Sequence, residues 1–337
     1  MESIFKKNET NLSLRSKLNL YKKRAHEIED YLTKSPEQWE KFQAEFNSGV
    51  NTIFKDIMDF EKTCYSNGQE EKVYKLKRIF INKIREFFLK GAYNEWSLRK
   101  PYGYAGDFKI IDDIYQNNPM TTGFVRLFDN YFLMSAISIA VRNRKDDFKK
   151  LIGDFVKEKK RQNLRIMSLA SGSCRDVYEF LLSDHKLCDN LFFDCYDNDE
   201  NALKYAKILL RGYSIFNFIK ENAVKIALRK DISLMIDKKY DLIYATGLFD
   251  YFNERVGIPL VRNLKKLLKP GGVLAISTMR NKYSNPSVHY MEWVGDWNLV
   301  YRNEEEFKTI FLEAGFNEDE LRIQYEQQGI MQYIITK

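Results

Sequence analysis

The chain has 337 residues, of which 44% are hydrophobic, including 24 Phe and 21 Tyr. This composition excludes a disordered or fibrous protein and is sufficient for one or two domains with hydrophobic cores. The net charge is +7, and the whole excess lies in residues 1–160, which hold 30 Lys and Arg against 23 Asp and Glu. Because these charges alternate in sign at helical spacing, they are typical of solvated helix faces rather than of a nucleic-acid surface.

The sequence also bears on location and metal chemistry. No run approaches 18 uncharged apolar residues, and the first seven residues lack the pattern of a signal peptide, so we expect a cytoplasmic protein. The histidines lie far apart and the cysteines show no C-x-x-C spacing, so we expect neither a metal site nor a disulfide framework. The cysteines are predicted to be buried free thiols: Cys64, Cys174, Cys188 and Cys195.

Residues 1–160 are predicted to form a helical domain. Ser35-Pro36-Glu37-Gln38 has the pattern of a helix start, with Ser35 as the N-cap and Gln38 closing a capping box. The apolar residues that follow recur at three- and four-residue steps, which predicts a helix reaching about Cys64. Further helices are expected from about Glu70 to Gly91, from about Thr122 to Arg144, and across residues 146–162.

One segment of this helical half has a different texture. Residues 100–108 read Lys-Pro-Tyr-Gly-Tyr-Ala-Gly-Asp-Phe, and this content of Gly, Pro and Tyr predicts a structured loop. Asp107 has two open interpretations within it, as a ligand contact or as the N-cap of a following helix.

In residues 161–337, short apolar runs alternate with helical segments. This alternation predicts an α/β fold with a doubly wound, mostly parallel sheet that has helices on both faces and ends in an antiparallel pair of strands. The predicted strands are Leu164–Ala170, Leu191–Tyr196, Ser214–Ile219, Tyr240–Thr246, Val273–Thr278, Leu321–Gln328 and Met331–Thr336.

The first of these strands runs into a turn of small residues, Ala170-Ser171-Gly172-Ser173, followed by Cys174-Arg175-Asp176. Small residues at this point let the backbone approach a ligand at the carboxyl end of the strand. The three-glycine dinucleotide fingerprint is absent, because Gly172 is the only glycine and Cys174 stands where a small final residue is expected.

Polar residues end the next two strands. Asp197 comes directly after a buried strand, where a carboxylate can accept hydrogen bonds from both hydroxyls of a ribose, and Asn198 follows it. Asp199 fits the role of a helix N-cap better. Asn222 and Ala223 follow the third strand, in the position where a side chain commonly meets an adenine amino group.

Two later elements complete the series. The fourth strand leads into Thr246-Gly247-Leu248-Phe249-Asp250-Tyr251, and the fifth is preceded by the turn in Leu267-Leu268-Lys269-Pro270-Gly271-Gly272-Val273-Leu274. In this order and at these spacings the five elements resemble the class I S-adenosylmethionine (SAM) dependent methyltransferases, whose fold is Rossmann-like. The resemblance implies SAM as the cofactor and covers about residues 160–337.

In that family the turn after the first strand contacts the methionine part of SAM, the acid after the second strand holds the ribose, and the residues after the third strand contact adenine. These roles carry over to Ala170 and Gly172, to Asp197, and to Asn222 and Ala223. The full set of predicted cofactor residues is Tyr104, Gly106, Ala170, Ser171, Gly172, Arg175, Asp176, Asp197, Asn198, Asn222, Ala223, Thr246, Gly247 and Leu248.

A narrower resemblance extends into the helical half. Residues 101–108 and 247–251, together with residues 291–293 and 297–302, resemble a bacterial group that includes the 3-hydroxy-fatty-acid methyl ester synthases. That group also has a helical N-terminal extension. The resemblance implies a small acid as the methyl acceptor.

Methyl transfer from SAM is an in-line displacement, so the protein must position the reactants and exclude water. We expect Tyr102–Phe108 to act as a lid, with Tyr104 offering its ring to the sulfonium or its hydroxyl to the substrate. A carboxylate acceptor needs no strong base, whereas an amine or phenol would need one. The candidate bases are His289, Glu292, Asp250 and the Tyr251 hydroxyl, and the candidate carboxylate clamps are Arg302 and Arg175.

The predicted function is therefore SAM-dependent methylation of a small molecule, with O-methylation of a fatty-acid or amino-acid carboxylate as its narrower form. The alternative is another SAM reaction, such as intramolecular cyclisation of SAM. A nucleic-acid methyltransferase is a weaker alternative, because the sequence has no N-P-P-Y or D-P-P-Y motif, no catalytic Pro-Cys pair and no zinc module.

Overall fold

A computed structural model describes residues 9–159, 163–183 and 191–337. Cys188 and the end of the helix predicted across residues 146–162 lie outside these ranges. The described chain divides into two compact units, each made of several segments. The first unit holds residues 9–106, 116–139 and 285–298, and the second holds residues 107–115, 140–284 and 299–337, apart from the gaps just given. The division of the chain into domains at residue 160 stays a prediction.

The first unit is helical, as predicted for this half of the chain. Its helices are α1 (Glu9–Lys34), α2 (Glu40–Ser66), α3 (Glu70–Lys83), α4 (Arg85–Phe88), α5 (Ala92–Arg99) and α7 (Gly123–Met134). Phenylalanine rings fill its interior in edge-to-face contacts, as between Phe46 and Phe128 at 4.7 Å and between Phe54 and Phe88 at 5.5 Å.

Two local predictions for this unit are wrong. Pro36–Gln38 forms a 3-10 turn before α2, and Ser35 makes no capping hydrogen bond through its side chain to any described residue. Gln38 instead accepts a hydrogen bond from the Tyr31 hydroxyl, so its side chain is not available for a capping box. The helix predicted from Thr122 to Arg144 is interrupted at Ser135, which is extended and whose hydroxyl donates to the Phe132 carbonyl at 2.6 Å.

The helix after this break, α8 (Ala136–Lys159), contributes its first four residues to the first unit and the rest to the second. Within the described residues no single helix meets the length and apolarity needed to cross a membrane, although α7 and α8 taken together as a bent pair do.

A short helix from late in the chain, α13 (Val288–Val294), also belongs to the helical unit. All seven of its residues are buried, and Tyr290 packs its ring 4.8 Å from that of Tyr131. The periodicity of residues 9–159 could not reveal this helix, because it comes from more than 120 residues further along the sequence.

The second unit is built on a seven-stranded sheet in the order β3-β2-β1-β4-β5-β7-β6. Its strands are β1 (Leu164–Leu169), β2 (Leu191–Asp197), β3 (Phe216–Lys220), β4 (Tyr240–Ala245), β5 (Leu268–Met279), β6 (Leu321–Tyr325) and β7 (Met331–Thr336). The pairs among the first five strands are parallel, whereas β7 is antiparallel to both β5 and β6. The predicted fold class and the antiparallel terminal pair are confirmed.

Helices cover this sheet. They are α6 (Phe108–Gln116, of which residues 108–115 lie in this unit), α9 (Arg175–Ser183), α10 (Glu200–Leu209), α11 (Ala223–Leu228), α12 (Glu254–Leu267) and α14 (Glu304–Glu313). A hydrophobic core between the central strands and α11, α12 and α14 contains Ile243, Leu260, Leu264, Phe307, Phe311 and Ile334, all at most 1% exposed.

The strand order changes direction between β1 and β4, because the chain moves from β1 outward to β3 and then returns to the other side of β1. Ligands of open α/β sheets bind in the crevice that opens at such a switch point, at the carboxyl ends of the strands. We therefore expect a ligand to contact the segments that follow β1, β2, β3 and β4.

Candidate functional site

The turn after β1 has an alternating left-handed backbone. Ala170, Gly172 and Cys174 have φ of 53°, 53° and 56°, in the region that favours glycine. Two of these three positions carry side chains, so the turn adopts positive φ at residues that disfavour it.

Asp197, at the end of β2, holds this turn in place. One carboxylate oxygen accepts the backbone N–H of Gly172 and the other accepts that of Asp199, both at 2.8 Å. Burial raises the pKa of Asp197, and the backbone N–H donors oppose the rise. Each oxygen can accept a further hydrogen bond, so the side chain keeps acceptor capacity for a ligand hydroxyl.

Ser171 lies in the same turn, and its buried hydroxyl oxygen has no hydrogen-bond partner among the residues that the structure describes. A buried hydroxyl without a partner destabilises a fold unless a ligand or water satisfies it. This atom fits the expected contact of the turn with the polar methionine part of SAM.

Asp199 and Asn222 both cap helices. Asp199 accepts the N–H of Asn201 at the start of α10, as expected from the sequence. Asn222 accepts the N–H of Val224 at 2.7 Å and donates to exposed Asn198 at 3.2 Å. Part of the polar capacity of Asn222 is therefore used within the protein, while buried Ala223 begins α11 beside it. Their contact with adenine stays a prediction.

Helix α6 belongs to the same unit although it precedes β1 by about 50 residues. Asp107 caps it by accepting the N–H groups of Lys109 and Ile110 at 3.0 Å, which supports the capping interpretation. Phe108 approaches the turn after β1, since a Cβ placed on Gly172 would lie 3.8 Å from the Phe108 Cβ. The cofactor turn is thus covered from a segment that the predicted domain boundary assigned to the other half.

A buried ion pair holds α6 in this position. Arg175 donates to both carboxylate oxygens of fully buried Asp112, at 2.5 and 2.9 Å, and the Tyr205 hydroxyl donates to the same carboxylate at 2.6 Å. Burial raises the pKa of Asp112, but these donors outweigh it and hold that pKa below its ordinary value. Asp112 is therefore the ion-pair partner of Arg175. It accepts the two guanidinium N–H donors that we expected to bind a substrate carboxylate.

Asp176 follows in the first turn of α9 and is buried. Burial raises the pKa of its carboxyl, while backbone N–H donors act in the opposite direction. Asp176 lies next to the cofactor turn in sequence. Its contact with SAM stays a prediction.

The segment after β4 carries several of the predicted residues. The Thr246 carbonyl accepts a hydrogen bond from Ser277, and Leu248 packs against the hydrophobic core. Gly247 lies beside buried Arg144, whose Nη1 and Nη2 would both be 3.5 Å from a Cβ at that position. Arg144 was not among the predicted site residues, because nothing in the periodicity of its helix separates it from solvated neighbours.

Asp250 and Tyr251 form a 3-10 turn with Phe249. One Asp250 carboxylate oxygen accepts the N–H of Met279 at 2.7 Å, and the other lies 3.6 Å from Arg144 Nη1. Burial raises the pKa of Asp250 to about 6, although Arg144 and the Met279 N–H oppose the rise. Tyr251 is 38% exposed.

Arg302 was predicted to touch the substrate, and the structure gives it a different set of contacts. Its guanidinium is 1% exposed and donates to the carbonyls of Phe249 and Phe252, at 2.8 Å for the first, and to Glu254 at 3.2 Å. These bonds anchor the segment after β4. Arg302 thus positions the loop, and no carboxylate clamp is free at this side chain.

Four of the predicted cofactor and catalytic residues lie in the helical unit: Tyr104, Gly106, His289 and Glu292. His289 is fully buried there, and its Nε2 lies 3.1 Å from Glu61 Oε2, with the Trp293 ring 5.6 Å away. Neither ring nitrogen makes a hydrogen bond to a described residue, and the role of His289 as a base stays a prediction. Residues 101–107 have no regular secondary structure, so the predicted loop is confirmed, whereas its role as a lid stays a prediction.

The left-handed turn after β1 leads to a test of backbone strain. A β-branched side chain is strongly disfavoured at positive φ, whereas glycine is not. We expect Ala170→Gly to leave the free energy of unfolding within about 1 kcal/mol of the parent and Ala170→Val to lower it by roughly 2 kcal/mol or more, as measured by urea denaturation without SAM.

Ala44 provides the matched control, since it is exposed in helix α2. There the order of the two substitutions should reverse, because glycine is the poorer helix former by about 0.5 kcal/mol. An Ala170→Val variant as stable as Ala170→Gly would show that this turn is not left-handed.

The raised pKa of Asp250 leads to a pH test. A carboxyl whose pKa is higher in the folded than in the unfolded state stabilises the fold only when protonated, so stability falls as the pH rises through the range from about 4 to about 6. We expect the wild type to gain up to roughly 3 kcal/mol relative to Asp250→Asn between pH 7 and pH 4, as measured by urea denaturation of both proteins at each pH.

Asparagine keeps an oxygen for the Met279 N–H, and the comparison cancels all other titrating groups. A stability difference that does not change with pH would mean that the pKa of Asp250 is ordinary in the folded protein.

Residues 98–335 match the model of the family Methyltransf_20, described as "Putative methyltransferase". This match covers most of the chain, including α6, which the predicted boundary had separated from the sheet. No curated protein matches the chain.

Two solved structures are similar to the chain. A "possible exported protein" from Bordetella parapertussis is 19% identical, with 68% of this chain and 78% of that one covered, at a TM-score of 0.56. Magnesium protoporphyrin IX methyltransferase from Synechocystis PCC 6803 with bound S-adenosylhomocysteine (SAH) is 10% identical over 60% and 86% of the two chains, at a TM-score of 0.44. The chain belongs to the Methyltransf_20 family of methyltransferases, and its cofactor is SAM.

Proposed function

We propose that the protein transfers the methyl group of SAM to the carboxylate oxygen of a small acid. Bound SAM supplies a methyl group on a positively charged sulfonium, and transfer forms the new oxygen–carbon bond as the sulfur–carbon bond breaks, leaving neutral SAH. The family supports methyl transfer and does not favour the alternative of SAM cyclisation. The choice of a carboxylate acceptor rests on the site itself.

The observation that carries this choice is the lack of a strong base at the strand ends. Within the described residues the second unit contains no histidine, and His289 is buried against Glu61 in the other unit. The carboxyls near the strand ends include Asp176, Asp197 and Asp250, and Asp250 is engaged by the Met279 N–H and lies 3.6 Å from Arg144 Nη1. An amine or phenol would have to lose a proton, whereas a carboxylic acid with a pKa near ~4 is already ionised at neutral pH.

The residues of the turn after β1 would then bind rather than react. The free lone pairs of the Asp197 carboxylate suit the ribose hydroxyls, and the unpartnered Ser171 hydroxyl suits the methionine part of SAM. Arg302 keeps the segment after β4 in one conformation through its bonds to Phe249 and Phe252. The proposal includes two further predictions. The loop with Tyr104 and Gly106 closes over bound SAM, and the protein is cytoplasmic.

The reaction is tested by incubating the protein with SAM and a panel of acids, amines and phenols. Mass spectrometry should show a gain of about 14 Da on acids together with SAH. A gain on amines or phenols only would reject the carboxylate acceptor. Methylthioadenosine without SAH would select the cyclisation alternative.

The ribose assignment is tested by Asp197→Ala. We expect its affinity for SAH to fall by about 100-fold or more, because two charge-assisted hydrogen bonds are lost and the turn at Gly172 is released. Isothermal titration calorimetry measures this loss. Asp231→Ala is the matched control, since Asp231 also caps a turn through a backbone N–H but is exposed and lies before β4. Equal SAH affinity in the two variants would reject the assignment.

A further inference from the structure

The sequence suggested Arg302 and Arg175 as clamps for a carboxylate, and the structure engages both with the protein itself. A third arginine, Arg144 on α8, is also buried, at 4% exposure. A buried guanidinium is retained only where acceptors satisfy its five N–H donors. The contacts of Arg144 therefore need to be compared with those of the other two.

Arg144 is less well satisfied than either. Its Nη1 lies 3.6 Å from Asp250 Oδ2, which is longer than a hydrogen bond, while the other oxygen of Asp250 is committed to the Met279 N–H. Its Nε has no hydrogen-bond partner among the described residues. The side chain of Arg144 also donates a hydrogen bond to the Tyr115 hydroxyl, and Tyr333 is a further titratable neighbour; both tyrosines are neutral at physiological pH. The guanidinium is thus held by its surroundings but keeps donor capacity.

The position of Arg144 is that of the expected reaction site. Both Nη atoms lie beside Gly247, which follows β4 by two residues. Strand β4 pairs with β1 through Ser168 and Tyr244, so the segments after these two strands leave the sheet side by side at the switch point. Because residue 247 is glycine, no side chain at this position covers the Nη edge of the guanidinium.

We propose that Arg144 binds a carboxylate group of a reactant held at the carboxyl ends of β1 and β4. A guanidinium offers two parallel N–H donors that match the two oxygens of a carboxylate, and burial strengthens this pairing. The inference rests on the proposed function, which places SAM and an acid in this crevice. Two reactants there carry a carboxylate: the methionine part of SAM, and the acid acceptor.

The experiment uses Arg144→Gln in the full-length protein, with Lys150→Gln as the control. Lys150 lies on the same helix and loses the same charge, but its side chain is 77% exposed and pairs with Asp154. Calorimetry compares the binding of SAH with that of its analogue lacking only the carboxylate, 5′-deoxy-5′-(3-aminopropylthio)adenosine. A second titration adds octanoate or neutral octanamide to protein saturated with SAH.

If the carboxylate belongs to the cofactor, Arg144→Gln should weaken SAH binding by about 10- to 100-fold and leave binding of the analogue unchanged. If it belongs to the acceptor, SAH binding should stay unchanged, and octanoate binding should weaken by a similar factor while octanamide binding does not change. The inference is wrong if Arg144→Gln and Lys150→Gln show the same affinities for SAH and for octanoate.

A second variant covers the case in which Arg144→Gln does not fold. Gly247→Ala places a methyl group in ordinary van der Waals contact with the guanidinium and needs no unusual backbone. It should fold and weaken carboxylate binding by about threefold or more, with binding of the ligands that lack a carboxylate unaffected; unchanged carboxylate binding in this variant would overturn the inference. Failure of the proposed function is separate, because it is detected in the wild type alone, as a mass gain on amines or phenols only or as methylthioadenosine without SAH.

Discussion

The hydrogen bond from the Gly172 N–H to the Asp197 carboxylate is the interaction on which the cofactor end of this protein depends. It joins the turn after β1 to the end of β2 at 2.8 Å, and it holds a backbone in which Ala170, Gly172 and Cys174 are all left-handed. Left-handed residues other than glycine raise the energy of a chain and persist only where their surroundings enforce them. The strain at Ala170 and Cys174 is therefore concentrated where a ligand is expected to contact the backbone.

Three buried arginines illustrate how the same chemistry serves different purposes. Arg175 pairs with Asp112 and fixes α6 above the cofactor turn, and Arg302 binds the backbone carbonyls of the segment after β4. Both bind acceptors within the protein, so they orient these two segments. Arg144 is buried as well, but its Nε has no acceptor among the described residues. The number of satisfied donors, and not burial or charge, separates the arginine assigned to a reactant from those that maintain the structure.

The helical unit shows how far sequence separation can mislead. His289 appeared to be a candidate base because it is close in sequence to residues that resemble a known group, yet it is buried in α13 beside Glu61 among helices from the first 140 residues. Helix α6 shows the converse case, since it belongs to the sheet unit although it precedes β1. Contacts of this kind depend on which faces pack together, and periodicity within one segment contains no such information.

The sequence by itself determined the seven strands, the mostly parallel sheet with its antiparallel end, and the position of Asp197 at the end of β2. These features follow from the hydrophobic runs and from the polar residues at which the chain turns. Only the tertiary structure determined which ionisable side chains have hydrogen-bond partners within the protein. Whether Arg175, Arg302 or Arg144 keeps free donors depends on acceptors such as Asp112, Phe249 and Asp250, which are 53 or more residues distant in sequence. Their positions are set by packing, since a buried charge must find its partners wherever the fold brings them.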